Sequence, residues 1–220
     1  MVLDADSADR TREVAQAAGA LVIRRRPTDF VDARRHALGH VETPWTFMLD
    51  ADERLDQALR AALETADPDA EALDGYEISR ATRFCGATVT AFGWDDERLL
   101  RVFRTRAAIL EAHAAAGGAA GVHESWRVPG RIGCLGGTLI HESYPNLASY
   151  RRKFERYTTM EAAGLKPNAG RLLLAAFAAP ARFVWLLGPR GGMRAGWRGV
   201  YLAFWSALYP LVVHLKAARR

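Results

Sequence analysis

The sequence predicts an α/β protein built on a parallel, doubly wound sheet and followed by a helical tail. Short apolar runs that end in an acid, at Asp4 and Asp50, alternate with stretches of helical periodicity in the first part of the chain. Half of the 220 residues are hydrophobic and a quarter are charged, which is ordinary for a folded protein. From Asn146 onwards the pattern is helical throughout.

The first six elements follow from apolar spacing and from residues that start or stop helices. Ser7 or Asp9 would cap the first helix, Gly19 would end it, and Pro44 precedes the third apolar run. We expect strands at 2–4, 20–25 and 45–49 and helices at 11–18, 31–40 and 56–65. Ligands of such sheets bind beyond the carboxyl ends of the strands, where the two acids named above fall.

The middle of the chain is less regular. Alternating apolar residues predict strands over 74–84 and 97–105, and a further short strand ends at His141. A small, glycine-rich stretch predicts a loop that leads into His123 and Glu124.

Three helices are expected in the last part of the chain, at 147–163, 171–187 and 197–216. The Pro-Asn-Ala-Gly stretch that begins at Pro167 interrupts them. We therefore expect a domain at 1–166 and a basic, amphipathic helical tail at 167–220.

The charge of the tail indicates its partner. The net charge of the chain is +5, and nine basic residues without one acid follow Glu161, so the rest of the chain is near −4. Apolar clusters at 172–174, 183–187 and 200–213 separate those basic residues and are too apolar for a nucleic-acid arm. We expect an anionic membrane surface as the partner, and no nucleic acid.

The uncharged stretch 199–213 is shorter than the roughly 20 apolar residues that a spanning helix needs, and it contains Pro210. We therefore expect the tail helices to lie in the membrane interface, the alternative being that they pack as ordinary core. The two cysteines and the lack of a recognisable secretory signal favour a reducing cytosol. The expected location is cytoplasmic, peripheral on the inner face of the cell membrane.

Carboxylates gather where the third strand ends, in the stretch "FMLDADERLD" that holds Asp50, Asp52 and Glu53. An Asp-X-Asp pair at a strand end can hold Mg²⁺ or Mn²⁺, because these hard cations prefer carboxylate oxygen. Such a metal binds phosphate oxygens at its open positions and stabilises a departing diphosphate. The alternatives are a solvated acidic turn before the next helix and a metal-dependent phosphohydrolase, although the additional His and Asp clusters of two-metal hydrolysis are lacking.

Several stretches occur in an order that resembles the family 2 glycosyltransferases, above all the bacterial subgroup that adds sugars to lipopolysaccharide core and similar surface glycans. The stretches are "LDADSADRT", "GALVIRR", "FVDARRHAL", "WTFMLDADERL", "ERLLRVFR", "GVHE" and "LIHESYPNLASYRRKFERYT". The resemblance covers nearly the whole chain. It implies a GT-A type α/β fold, a nucleotide-sugar donor, a glycan or glycolipid acceptor and transfer with inversion at the anomeric carbon.

The resemblance also implies roles for the acids at the donor side. Asp4 matches the acid that contacts the nucleobase, and Asp52 matches the metal ligand of the Asp-X-Asp pair. Asp50 would face the ribose or a metal-bound water. His141 could be a metal or diphosphate ligand, or a structural histidine.

Glu124, in "VHE", is the expected general base that deprotonates the acceptor hydroxyl, and His123 could orient it. Asp95 and Asp96, in "GWDDERLLR", are the competing acids. Arg101 is expected to meet the donor diphosphate or an anionic acceptor.

Arg101 is expected to share one strand face with Arg98 and Arg104. The alternative is that the three form a solvated face.

Members of the family begin with another strand, loop and helix before the stretch that matches Val2 to Asp4. The resemblance therefore implies that this first unit lies upstream or is lacking here. The rival function is accordingly a non-catalytic, membrane-associated remnant that binds a nucleotide sugar and does not turn it over.

Overall fold

The computed structural model of the protein describes residues 1–94, 97–113 and 123–219, and within these the α/β class is confirmed. The strands are β1 (Val2–Asp4), β2 (Val22–Arg24), β3 (Trp45–Phe47), β4 (Glu53–Leu55), β5 (Gly75–Phe84), β6 (Ala87–Thr88), β7 (Glu97–Arg104), β8 (Ile109–His113), β9 (His123–Arg127) and β10 (Ile132–Tyr144). The helices are α1 (Thr11–Ala17), α2 (Phe30–Leu38), α3 (Gln57–Thr65), α4 (Leu147–Ala163), α5 (Ala169–Leu187) and α6 (Gly196–Ala218).

The strands of the described residues form three separate sheets. The main sheet has the order β3-β7-β5-β10-β4, with β6 paired to β5, and its only parallel pair is β5 with β10. β1 and β2 pair in parallel as a two-stranded sheet, and β8 and β9 pair antiparallel.

The prediction of a parallel, doubly wound sheet is therefore wrong for most strand pairs. The alternation of strands and helices was predicted correctly, but β3 does not join β1 and β2. It pairs antiparallel with β7, where Phe47 lies opposite Val102. A strand can be recognised from the apolar residues within it. Its partner strand is determined by packing against a segment more than fifty residues away, and a local pattern cannot show this.

The main sheet buries apolar side chains on both faces, as successive residues of β7 show. Phe103 packs with Val31 of α2 and with Trp126 of β9, whereas its neighbour Val102 packs with Leu59 of α3. Because successive side chains of a strand point to opposite faces, α2 and the β8–β9 pair cover one face and α3 covers the other. The carboxylate stretch 50–53 joins β3 to β4 at this packed sheet.

β10 runs on to Tyr144, so His141 lies inside the strand and not at its end as expected. The strand contains a register shift between Leu135 and Thr138. At this shift Gly137 has a φ of +88°, and a Cβ there would lie 2.1 Å from the backbone nitrogen of Leu59. Only glycine allows the first turn of α3 to approach this closely, and the shift sets which face of β10 each later side chain occupies.

The three C-terminal helices occur as predicted, but α6 does not stand apart from the rest of the chain. Leu202 is fully buried among Phe84, Val89 and Tyr150 of the sheet end and α4. Lys216 pairs with Glu155 of α4 at 2.6 Å. Part of the basic tail thus stabilises the fold directly.

Among the described residues, two helical regions, Ala169–Leu187 and Gly192–Ala218, are long and apolar enough to span a membrane by length and composition alone. Large apolar side chains of α5 remain exposed to solvent, and Phe177 is the most exposed at 81%.

Candidate active site

The turn between β3 and β4 gathers three carboxylates in four residues. Its backbone is closed by a hydrogen bond from the Glu53 amide to the Asp50 carbonyl at 3.0 Å. The Glu53 side chain accepts a hydrogen bond from the Asp50 amide, also at 3.0 Å. The Met48 amide donates to the carbonyl of Arg101 at 2.8 Å, which fastens the turn to β7. The turn is therefore held rigidly, with its acids at fixed positions.

Arginines supply the counter-charge for two of the three acids. Arg101 is only 4% exposed, and its Nη2 donates to Asp50 at 2.9 Å and to Glu53 at 2.5 Å. Arg34 of α2 donates to Asp50 at 2.9 Å, and Arg80 of β5 lies 3.4 Å from Glu53. Burial raises the pKa of Asp50, but the charges of Arg101 and Arg34 outweigh it and the net effect is a lowered pKa.

Asp52 differs from its neighbours because its side chain is 41% exposed and lies outside the buried arginine cluster. Its Oδ2 is 3.3 Å from His141 Nε2 and 3.5 Å from Lys153 Nζ of α4. The hydrogen bond with His141 lowers the pKa of Asp52 to about 2, and the nearby charge of Lys153 acts in the same direction. The site thus presents one accessible, ionised carboxylate with two basic side chains beside it.

The residues around Asp52 fit a divalent cation whose remaining ligands come from a substrate. The described residues contain no group of three or more His, Cys, Asp or Glu side chains placed to hold a metal. Mg²⁺, however, is commonly held by one or two carboxylates together with substrate phosphates and water. The Nδ1 atom of His141 is buried and has no hydrogen-bond partner within the described part of the chain, whereas a histidine that binds a metal usually donates from its other nitrogen. Asp52 therefore fits the role of protein ligand better than His141 does.

Asp4 lies in a second charged cluster and is 3% exposed. Its carboxylate accepts hydrogen bonds from the amides of Asp6 and Ser7 and from Arg12 Nη1 at 2.9 Å. Asp6 in turn pairs with Arg24 and with Arg26. Both oxygens of Asp4 are thus used within its own loop.

We expect the Asp4→Asn variant to lose less of its free energy of unfolding than wild type does as the pH becomes acidic. Hydrogen bonds from Ser7 and Arg12 lower the pKa of Asp4 from 3.8 to about 2. A lowered folded-state pKa stabilises the fold above the unfolded-state pKa, and this contribution is lost as the pH falls from about 4 to about 2. The stability difference between wild type and Asp4→Asn, measured by urea unfolding, should therefore shrink over that interval. Glu13→Gln on the exposed face of α1 is the control, and a difference that stays constant with pH would contradict the assignment.

The expectation that Arg98, Arg101 and Arg104 share one strand face is wrong. Residues three apart in a regular strand point to opposite faces, and β7 also has a register shift beside Arg101. Arg98 is exposed and contacts the sulfur of Cys134, while Arg104 pairs with Asp69 at 2.6 Å. Of these three arginines, only Arg101 reaches the carboxylate turn.

The expected catalytic acids lie at the edge of what the structure describes. His123 and Glu124 are the first residues of β9 and lie opposite His113 and Ala112 of β8. The side chains of His123 and Glu124 lie outside the described part of the structure. Asp95 and Asp96 lie outside the described residues altogether.

β9 itself passes beside the carboxylate turn. The indole nitrogen of Trp126 lies 2.7 Å from the sulfur of Met48, and Met48 also lies 3.9 Å from Arg101 Nη1. β9, which carries the expected base Glu124, is therefore held against Met48, two residues before Asp50.

Arg34, Arg80 and Lys153 belong to the site, although the sequence reasoning assigned them no role there. A usable signal existed for Arg80, because an arginine among the buried residues of β5 requires a carboxylate partner. Lys153 had no such signal, since α4 is rich in basic residues and only the fold shows which of them faces Asp52.

No protein-family profile matches the chain. The chain is similar to the lipopolysaccharide core biosynthesis glycosyltransferase LpsC of Rhizobium meliloti (strain 1021), with 26% identity over 197 residues. The alignment covers 87% of this chain and 70% of that protein. This distant homology supports a glycosyltransferase, and the mixed α/β fold fits that class.

Proposed function

We propose that the protein is an inverting glycosyltransferase of the family 2, GT-A type that moves a sugar from a nucleotide-sugar donor to a lipid-linked or lipopolysaccharide-type glycan. The observation that carries the proposal is the carboxylate turn, where the buried Arg101 neutralises Asp50 and Glu53, while Asp52 is the most exposed of the three acids and lies beside Lys153. The distant homology to a glycosyltransferase supports the same class.

In this mechanism the donor diphosphate binds over Asp52, with Lys153 as its cationic partner. A divalent cation held by Asp52 would neutralise the diphosphate and assist its departure. Asp50, oriented by Arg34 and Arg101, binds the nucleoside side of the donor. Asp4 acts indirectly, because its hydrogen bonds order the loop after β1 on which a nucleobase would rest.

The chemical step is a direct displacement at the anomeric carbon. The acceptor hydroxyl oxygen forms the new bond, the bond between the anomeric carbon and the diphosphate oxygen breaks, and the nucleoside diphosphate leaves with the electron pair. Glu124 takes the proton of the hydroxyl, and His123 orients Glu124. Because attack and departure occur on opposite sides, the configuration of the carbon inverts.

The experiment that tests the function is a transfer assay with a panel of labelled nucleotide sugars and bacterial glycolipid extracts, in the presence of Mg²⁺ or Mn²⁺. We expect one donor to label a glycolipid, with the anomeric configuration opposite to that in the donor by NMR. Binding of a nucleotide sugar without transfer to any acceptor would favour the non-catalytic alternative.

Glu124→Gln should reduce turnover by roughly 10²-fold or more and leave donor affinity nearly unchanged, because glutamine keeps the size of the side chain but cannot take a proton. The measurement is kcat for transfer together with the dissociation constant of the donor. Glu111→Gln on the neighbouring strand β8 is the matched control. If Asp95→Asn or Asp96→Asn shows this pattern and Glu124→Gln does not, the base is the aspartate.

The tail belongs to the same proposal as a membrane-binding element. α5 exposes the apolar residues Leu173, Leu174 and Phe177. The same helix exposes two basic residues, Arg171 and Arg182. Such a surface would lie on the anionic inner face of the cell membrane and keep the enzyme near a lipid-linked acceptor.

Phe177→Glu should release the protein from vesicles of phosphatidylglycerol and phosphatidylcholine, because it places a charge at the most exposed apolar position of α5. High salt should release wild type only partly, since salt screens the arginines and not the apolar contacts. Sedimentation with vesicles measures both effects. Val14→Glu is the control, because Val14 is an exposed apolar residue on α1, outside the tail. Wild type that stays in solution at low salt would contradict the membrane role. Deletion of the tail is unsuitable, because α6 contributes to the core.

A further inference from the structure

A groove of about 860 Å³ lies between α4 and α6, outside the carboxylate turn. Its apolar lining comes from Phe154 and Met160 of α4 and from Trp205 and Val212 of α6. The rings of Phe154 and Trp205 are 5.0 Å apart and form a continuous aromatic surface. A groove of this size and lining is suited to alkyl chains of a bound molecule.

The groove is also strongly cationic. Arg151, Arg152 and Arg156 line it, and Arg151 lies over the Trp205 ring at 5.9 Å. Within the described part of the chain, Arg152 and Arg156 make no ion pair or hydrogen bond with other side chains. Glu155, the acid of the groove, is neutralised by Lys216. Two unpaired guanidinium groups beside an apolar lining match a molecule that carries both phosphate and alkyl chains.

The groove is linked to the carboxylate turn by one helix. Lys153, which reaches Asp52, directly follows Arg152 in α4. Successive residues of a helix rise about 1.5 Å and turn about 100°. The groove and the turn therefore lie on adjacent sides of the same helix segment, close enough for one amphiphilic molecule to engage both.

Other occupants fit the groove less well. A second copy of the chain docked about a twofold axis would bring the three arginines near their own symmetry mates, which is unfavourable. Nucleic acid would satisfy the arginines but leave the apolar lining unmatched.

We propose that the α4–α6 groove binds the phosphorylated lipid portion of the glycan acceptor and so presents the acceptor sugar to the Asp52 site. This assignment rests on the proposed function for the identity of the acceptor. The binding itself can be tested without turnover.

The first experiment is a titration with dodecyl phosphate below its micelle concentration, followed by calorimetry. We expect wild type to bind it about tenfold or more tightly than the uncharged dodecyl maltoside, since each arginine near a phosphate contributes. The double variant Arg152→Gln/Arg156→Gln should lose this preference, and Met160→Glu should weaken binding of both amphiphiles. The double variant Arg60→Gln/Arg106→Gln, at two exposed arginines that do not line the groove, should bind like wild type.

Equal losses in the α4 double variant and in this control variant would overturn the proposal in favour of a general surface charge effect. Binding of inorganic phosphate as tight as that of dodecyl phosphate would also overturn it, because the alkyl chain would then contribute nothing. So would a concentration-dependent dimer that excludes dodecyl phosphate, since the groove would then be an interface between copies.

The second experiment separates this proposal from the function. Arg152→Gln/Arg156→Gln should lower transfer to a lipid-linked acceptor about tenfold or more and leave transfer to a soluble sugar analogue unchanged. Transfer to both acceptors at the wild-type rates in this variant would refute the groove assignment while the function stands. Dodecyl phosphate binding by wild type with no transfer to either acceptor would refute the function while the groove stands as an anionic lipid site.

Discussion

Asp52→Ala should reduce sugar transfer by about 10²- to 10³-fold or more and leave the protein folded. The loss is expected because the variant lacks the one accessible carboxylate of the turn and therefore its hold on the charges at the departing diphosphate. Folding should persist, since among the described residues the Asp52 carboxylate forms ion pairs only with His141 and Lys153, and none with the buried Arg101. The measurements are kcat for transfer and the midpoint of thermal unfolding.

Two comparisons sharpen this test. Asp52→Asn keeps the size of the side chain but removes its charge, so it should be nearly as inactive as the alanine variant. Asp50→Ala should mainly weaken donor binding, because Asp50 is already neutralised by Arg34 and Arg101. Asp69→Ala at the surface is the control for both. Normal turnover in either Asp52 variant would remove Asp52 from the mechanism.

Arg101→Met should destabilise the fold by about 3–5 kcal/mol, the largest stability effect that the site predicts. Without Arg101, the cations that remain among the described residues are Arg80, which lies 3.4 Å from the fully buried carboxylate of Glu53, and Arg34, which pairs with Asp50. Leaving buried carboxylates short of a counter-charge costs far more than losing an exposed ion pair. The measurement is the free energy of unfolding in urea.

Arg98→Met, on the same strand but exposed, is the matched control and should change stability by less than about 0.5 kcal/mol. A double variant Arg101→Met/Glu53→Gln should recover part of the loss, because it removes the uncompensated buried charge together with its partner. If Arg101→Met unfolds like wild type, the buried ion-pair cluster does not hold the turn.

The sequence predicted the elements that are defined by their own periodicity. α4 begins and ends at the predicted residues 147 and 163, and β5 and β7 lie where apolar alternation predicted strands. The pairing of β3 with β7 and the burial of Leu202 against the sheet end depend on segments distant in the chain. Local patterns carry no information about such partners.

The sequence was sufficient to predict the acidic residues of the candidate site, but not the basic residues that neutralise them. A run of Asp50, Asp52 and Glu53 is visible in any reading of the sequence, and it indicated a metal as the missing counter-charge. The structure shows that protein cations already neutralise two of the three, through Arg101, which lies 51 residues from Asp50 along the chain. Asp52 is the most exposed of the three side chains, as the proposed metal-bound donor requires.

The nature of the bond that is broken tests the central claim most directly. Purified protein would be incubated with the donor, a glycolipid acceptor and Mg²⁺ or Mn²⁺, and the released nucleotide and the transferred sugar would be counted together. The proposed mechanism predicts one nucleoside diphosphate released for each sugar transferred, and release that depends on the acceptor and on Asp52. Release of inorganic phosphate, or of nucleotide in equal amounts without acceptor and in Asp52→Ala, would contradict glycosyl transfer at this site.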